Sequence, residues 1–150
     1  WLAVLVLLNL SGCAGKMAQQ EAEPMVDKTQ AAEQARQGLA AWEQGDRKAA
    51  VRAWRESVML DPGDPVTVNN LALALKEQNR FTEAAKVLEQ GIAEMPEVAD
   101  LHYNLAVISE LYLLDLERAL IHYRAYRDLS ATEDNDVAGW IADLERRLAR

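Results

Sequence analysis

The sequence predicts an all-α fold: a stack of paired antiparallel helices closed by one further helix. One register of small and apolar residues recurs every 34 residues through the middle of the chain. Within each period apolar residues return at steps of three and four, broken once by a Gly or Asn tolerant of positive φ and ended by a Pro. A third observation concerns location. The only cysteine, Cys13, follows directly on the longest apolar run of the chain.

Residues 1–10, WLAVLVLLNL, fit the apolar core of a signal peptide and fall well short of the roughly 18 to 20 residues a spanning helix needs. Small residues Ser11 and Gly12 follow, as a signal peptidase cleft requires. Neither an initiating Met nor a basic stretch precedes this run, so the chain is expected to begin inside a precursor, with residues 1–12 its truncated signal peptide. Leu10-Ser11-Gly12-Cys13 resembles the lipobox of bacterial lipoproteins. The resemblance implies cleavage before Cys13 and acylation of it, and Ala14, in place of a retaining Asp, points to the outer membrane with the protein facing the periplasm. Each buried methylene adds about 0.8 kcal/mol, so two or three acyl chains hold a protein stably at a membrane. Residues 13–30 then read as the lipidated cysteine and a polar tether, whose 17 residues after Cys13 span about 23 Å as a flexible coil.

The repeat defines units at 31–64, 65–98 and 99–132. Offsets of 34 relate Leu39 to Leu73, Gly45-Asp46 to Asn79-Arg80, Ala50 to Ala84, Trp54 to Leu88, Val58 to Ile92 and Pro62 to Pro96. Asn70-Leu71-Ala72 maps likewise onto Asn104-Leu105-Ala106. Gly38, Ala72 and Ala106 fall where the first helix of a pair presses on its neighbour, and Ala50 and Ala84 where the second does. Trp54, Leu88 and Tyr123 supply the bulk that fills the remaining space. No unit buries its apolar faces alone, so the units stack.

These residues resemble the tetratricopeptide repeat family over positions 31–129. The second unit matches the family signature through Leu71, Ala72, Leu75, Ala84, Leu88 and Pro96; the first keeps Gly38, Ala50, Trp54 and Pro62 but has Gln37 and Ala41 where a Leu and an aromatic are usual. The resemblance implies a right-handed superhelical stack whose first helices line a concave groove. It places Asn70 and Asn104 where amides hydrogen-bond an extended peptide backbone. Around them the register sets Leu39, Trp42, Asn69, Leu73, Lys76, Glu77, Tyr103, Val107 and Glu110. Members that clamp an acidic C-terminal peptide need basic residues where Asp100 and Asn104 stand, so such a ligand is not expected here.

In the third unit Ala119 and Tyr123 match Ala84 and Leu88 at an offset of 35, which requires one extra residue between the helices. The intervening stretch contains Leu111, Tyr112, Leu113, Leu114 and Leu116 in place of a polar turn. Two readings follow: these residues lengthen the first helix and are covered by the terminal helix, or Leu111, Leu113 and Leu114 form an exposed docking patch. Residues 133–150 predict that terminal, capping helix, with Val137, Trp140, Ile141, Leu144 and Leu148 on one face and Arg146, Arg147 and Arg150 toward its negative end.

Several functions are disfavoured by composition. Acidic residues outnumber basic ones by 24 to 16, which offers no footprint for nucleic acid. A single cysteine supplies neither an internal disulfide nor a multi-cysteine zinc site. No phosphate loop, HExxH or GxSxG motif is present, and His102 and His122 read as packed residues, so neither an enzyme nor a cofactor is expected beyond the lipid on Cys13. The expected function is an outer-membrane adaptor that binds an envelope protein or an extended peptide segment during assembly of pilus, secretion, cell-wall or TonB-type machinery. The alternatives are a homo-oligomer formed through residues 111–116 and a non-catalytic part of an envelope enzyme complex.

Overall fold

The computed structural model describes residues 26–150; Cys13, the lipobox and most of the tether lie outside the described residues. Seven α-helices follow in order: α1 (Lys28–Glu43), α2 (Arg47–Leu60), α3 (Pro65–Glu77), α4 (Phe81–Glu94), α5 (Ala99–Ile108), α6 (Leu116–Leu129) and α7 (Asn135–Leu148). No strand occurs among the described residues. None of these helices is long and apolar enough to cross a membrane.

Aspartates start most of the helices. Asp27, Asp46, Asp64, Asp115 and Asp134 each accept from a backbone N–H of the first turn of α1, α2, α3, α6 and α7, respectively. Such a cap is worth about 1 kcal/mol. Asp27 corrects one boundary: α1 begins at Lys28, three residues before the expected start of the first unit at 31, because Asp27 caps it and also donates its own N–H to the carbonyl of Leu60. In α3 Pro65 takes the first position, where its missing N–H costs nothing.

Each helix packs on the next, and α3 also meets α5. One core cluster joins α2 to α5 through Trp54, Leu71, Leu75, Leu88, Leu101 and Leu105, and a second joins α5, α6 and α7 through Ala106, Ala119, Tyr123, Val137, Ile141 and Leu144. The small residues sit where the repeat placed them: Ala50, Ala72, Ala84 and Ala106 are fully buried. At Gly38 the approach is closest, since a Cβ there would lie 2.5 Å from the Trp54 ring. Gly91, which the repeat did not single out, likewise yields to Val68.

The extra residue of the third unit is absorbed in a π-helical turn, Ser109–Leu113, that continues α5. In the first two units the residue after the positive-φ position, Asp46 or Arg80, donates to a carbonyl five residues back; in the third Asp115 donates to Ser109, six back. Accordingly α2 and α4 start 34 residues apart, at Arg47 and Phe81, but α4 and α6 start 35 apart, at Phe81 and Leu116. Leu114 occupies the left-handed position that Gly45 and Asn79 fill in the other units, with φ 56°. Here the covering expected of α7 does not occur. Leu113 turns into the first core cluster and Leu116 into the second, while Leu111 and Leu114 remain 61% and 75% exposed. Tyr112 stacks on Phe81, with ring centroids 4.3 Å apart.

Candidate partner-binding groove

The first helices of the units, α1, α3 and α5, carry the residues expected to face a partner. Leu39, Trp42, Asn70, Leu73 and Glu77 line one pocket of about 200 Å³ together with Trp54 and Ala74. Its floor is aromatic, because Trp42 packs on Trp54 with ring centroids 5.6 Å apart, and Trp54 is fixed in turn by donating its Nε1–H to the carbonyl of Ala35. Arg47 lies over the Trp42 ring, 3.6 Å from its centroid, and donates to the Trp42 carbonyl. This cation–π contact was not legible in the repeat, since Arg47 opens α2 and does not belong to the first helix. Asn70 makes no side-chain hydrogen bond among the described residues, so its amide is available at the pocket wall. Lys76 is half-buried near the end of α3.

The remaining predicted residues are engaged within the protein. Asn104 donates to the side-chain carbonyl of Asn69 at 2.5 Å, linking α5 to α3 and leaving Asn104 one further N–H and its own carbonyl. Tyr103 lies among Tyr123, Tyr126 and Trp140, at centroid separations of 5.1 to 6.3 Å. Burial, and after it the charge of Asp134, holds the Tyr103 phenol above its ordinary range. Val107 packs on the second core cluster, and Glu110 accepts from Arg147 of α7 at 3.1 Å. Thus α7 approaches the third unit's share of the groove, and Trp140, expected on its buried face, stays 38% exposed beside Tyr103.

His102 and His122 face one another, with their Nδ1 atoms 2.9 Å apart. The Pro96 carbonyl lies 3.0 Å from His102 Nε2 and can only accept, so His102 carries its proton on Nε2 and His122 donates from Nδ1. Burial, then the repulsion that two protonated rings would exert on one another at this distance, pushes the His122 pKa down to about 4. This pair joins α5 to α6. No group of three or more His, Cys, Asp or Glu side chains suited to a metal occurs among the described residues.

A tetratricopeptide repeat family model matches residues 41–108. The chain folds as a tetratricopeptide-repeat domain. Among solved structures it is similar to the first such domain of Spaghetti (RPAP3) bound to the HSP90 peptide SRMEEVD, at 20% identity and a TM-score of 0.71, covering 85% of this chain and 100% of that one. The N-terminal domain of stress-induced protein-1 from C. elegans aligns at 20% identity and a TM-score of 0.69, over 79% and 96% of the two chains. The Yersinia enterocolitica type III secretion chaperone SycD, solved with a peptide of the translocator YopD, aligns at 12% identity and a TM-score of 0.69, over 81% and 97%. No curated protein sequence matches the chain. Within the tetratricopeptide-repeat domain, Asp100 is exposed at the start of α5 and Asn104 is tied to Asn69, so neither position brings a cation to the groove.

Proposed function

We propose that this chain is a non-catalytic adaptor that holds an extended segment of a partner protein along α1, α3 and α5. The observation that supports this most directly is the single pocket shared by Leu39, Trp42, Asn70, Leu73 and Glu77. It offers an aromatic floor for an apolar side chain and a free amide for a peptide group, which together fix register without demanding one sequence. The absence of cations at Asp100 and Asn104 argues against an acidic C-terminal peptide of the kind named for the Spaghetti complex. In this proposal the adaptor is anchored through Cys13 at the bacterial outer membrane and faces the periplasm in an envelope assembly, a reading supported by the lipobox-like residues 10–13 and by Ala14. The test is a crosslinked pull-down from the cells of origin with the parent and a folded Leu39→Ser, Asn70→Ala variant, after fractionation beside Cys13→Ser. The expected outcome is a partner lost from the variant and a Cys13→Ser protein released from membranes. A partner retained by the variant, or an unchanged membrane fraction, would refute the corresponding half of the reading.

The exposure of Leu111 and Leu114 favours a second reading, self-association through this turn. Light scattering at high micromolar concentration tests it. A dimer that Leu111→Ser, Leu114→Ser returns to monomer supports the reading, and a monomeric parent removes it.

A further inference from the structure

A concavity of about 450 Å³ lies away from the groove, between α2 and the turn leading into α4. Four cations line it, Lys48, Arg52, Arg55 and Arg80, against one carboxylate, Glu83. In a chain of net charge −8 that concentration runs against the composition. Glu83 is already shared, accepting from Arg80 at 2.7 Å and from Arg55 at 3.3 Å, and Gln78 accepts from Arg80 as well. Lys48 and Arg52 form no ion pair among the described residues.

The placement of these cations is unfavourable for the helix that bears them. Lys48 lies in the first turn of α2, where the helix dipole opposes a positive charge; the N-cap Asp46 is the carboxylate at that end, and it accepts from the backbone N–H of Ala49. Arg52 follows at the i+4 position, where like charges repel. Neither side chain makes a hydrogen bond among the described residues that would hold it in place. Arg55 and Arg80, by contrast, are held in place by Glu83, so their remaining N–H groups are pre-positioned at the pocket wall. Val51 is the one apolar side chain in the lining, which leaves little to anchor a peptide.

We infer that this pocket binds a multiply charged oxyanion, a phosphate or diphosphate group, either free or as a phospholipid headgroup. Its charge would relieve the repulsion between Lys48 and Arg52 while the guanidinium forks of Arg55 and Arg80 bind its oxygens. The site is distinct from the groove and stands whether or not the groove binds a peptide.

The experiment uses the full chain with Cys13→Ser, which prevents acyl insertion from masking headgroup binding. Inorganic pyrophosphate is titrated by calorimetry, vesicles of phosphatidylglycerol and phosphatidylcholine are compared with phosphatidylcholine alone by co-sedimentation, and a polyglutamate peptide is titrated in parallel. Binding of pyrophosphate alone assigns a soluble phosphate, and binding of the anionic vesicles alone assigns a headgroup. In either case Lys48→Gln, Arg52→Gln should weaken binding at least about tenfold, and Arg146→Gln on α7 should leave it unchanged. Because the double variant removes a repulsion, it should unfold at the same or a higher denaturant concentration, which separates lost binding from lost folding. No binding of either phosphate source, undiminished binding by the double variant, or binding of polyglutamate alone would overturn the inference.

Discussion

Leu114 is the residue whose conformation departs furthest from its chemistry. A side chain with a Cβ in the left-handed region costs about 1–2 kcal/mol, and Leu114, three-quarters exposed, recovers little of that by burial. Leu114→Gly should therefore raise the unfolding free energy by about 1 kcal/mol after the glycine's own entropy is counted. Denaturant unfolding at constant m-value checks this, and a loss of stability would show that the leucine makes contacts stronger than the strain. The small residues Gly38, Ala50, Ala72, Ala84 and Ala106 were legible in the sequence, because close helix approach leaves only one solution at those positions. Leu114 was not. An offset of 35 reveals an inserted residue, but does not say which residue takes positive φ or which carbonyl receives the freed N–H.

Between elements, the joint of α5 and α6 is the one that pH addresses. His122 is neutral in the fold, its pKa lowered from the ordinary 6.5 to about 4 by burial and by His102. The unfolded chain therefore takes up this proton from about pH 6.5 and the folded chain only near pH 4. Stability is fully present above pH 6.5 and is lost as pH falls between these values. A displacement of that size corresponds to at most about 3 kcal/mol, which partial solvent access reduces to about 1–2 kcal/mol. The melting temperature should drop between pH 7 and pH 4.5, and the drop should be smaller in His122→Gln; equal slopes for parent and variant would remove this role. Sequence reasoning placed both histidines in packed positions but did not pair them. Their meeting depends on the register that the π-helical turn imposes on α6, a feature no local pattern encodes.

At the level of the whole molecule, stability is built from neighbouring interfaces. Two core clusters meet at α5, whose Leu105 belongs to one and whose Ala106 belongs to the other. Repetition made this architecture readable, since each pair of helices buries its faces only against the adjacent pair. The groove was readable in part for the same reason. Leu39, Trp42, Asn70, Leu73 and Glu77 converge because α1 and α3 obey the regular period. Tyr103, Val107 and Glu110 are drawn into contacts with α6 and α7, and α7 follows no repeat from which its docking angle could be read. A partner should accordingly engage the α1–α3 half of the groove more than its α5 end.

The most direct measurement is site-specific photo-crosslinking in living cells, with a photoreactive amino acid placed at Leu39 in the groove and, separately, at Ile121, which is exposed on α6. A partner captured from Leu39 and not from Ile121 is the predicted result. Capture from Ile121 with none from Leu39 would contradict the account and move the working surface to the opposite helices of the stack.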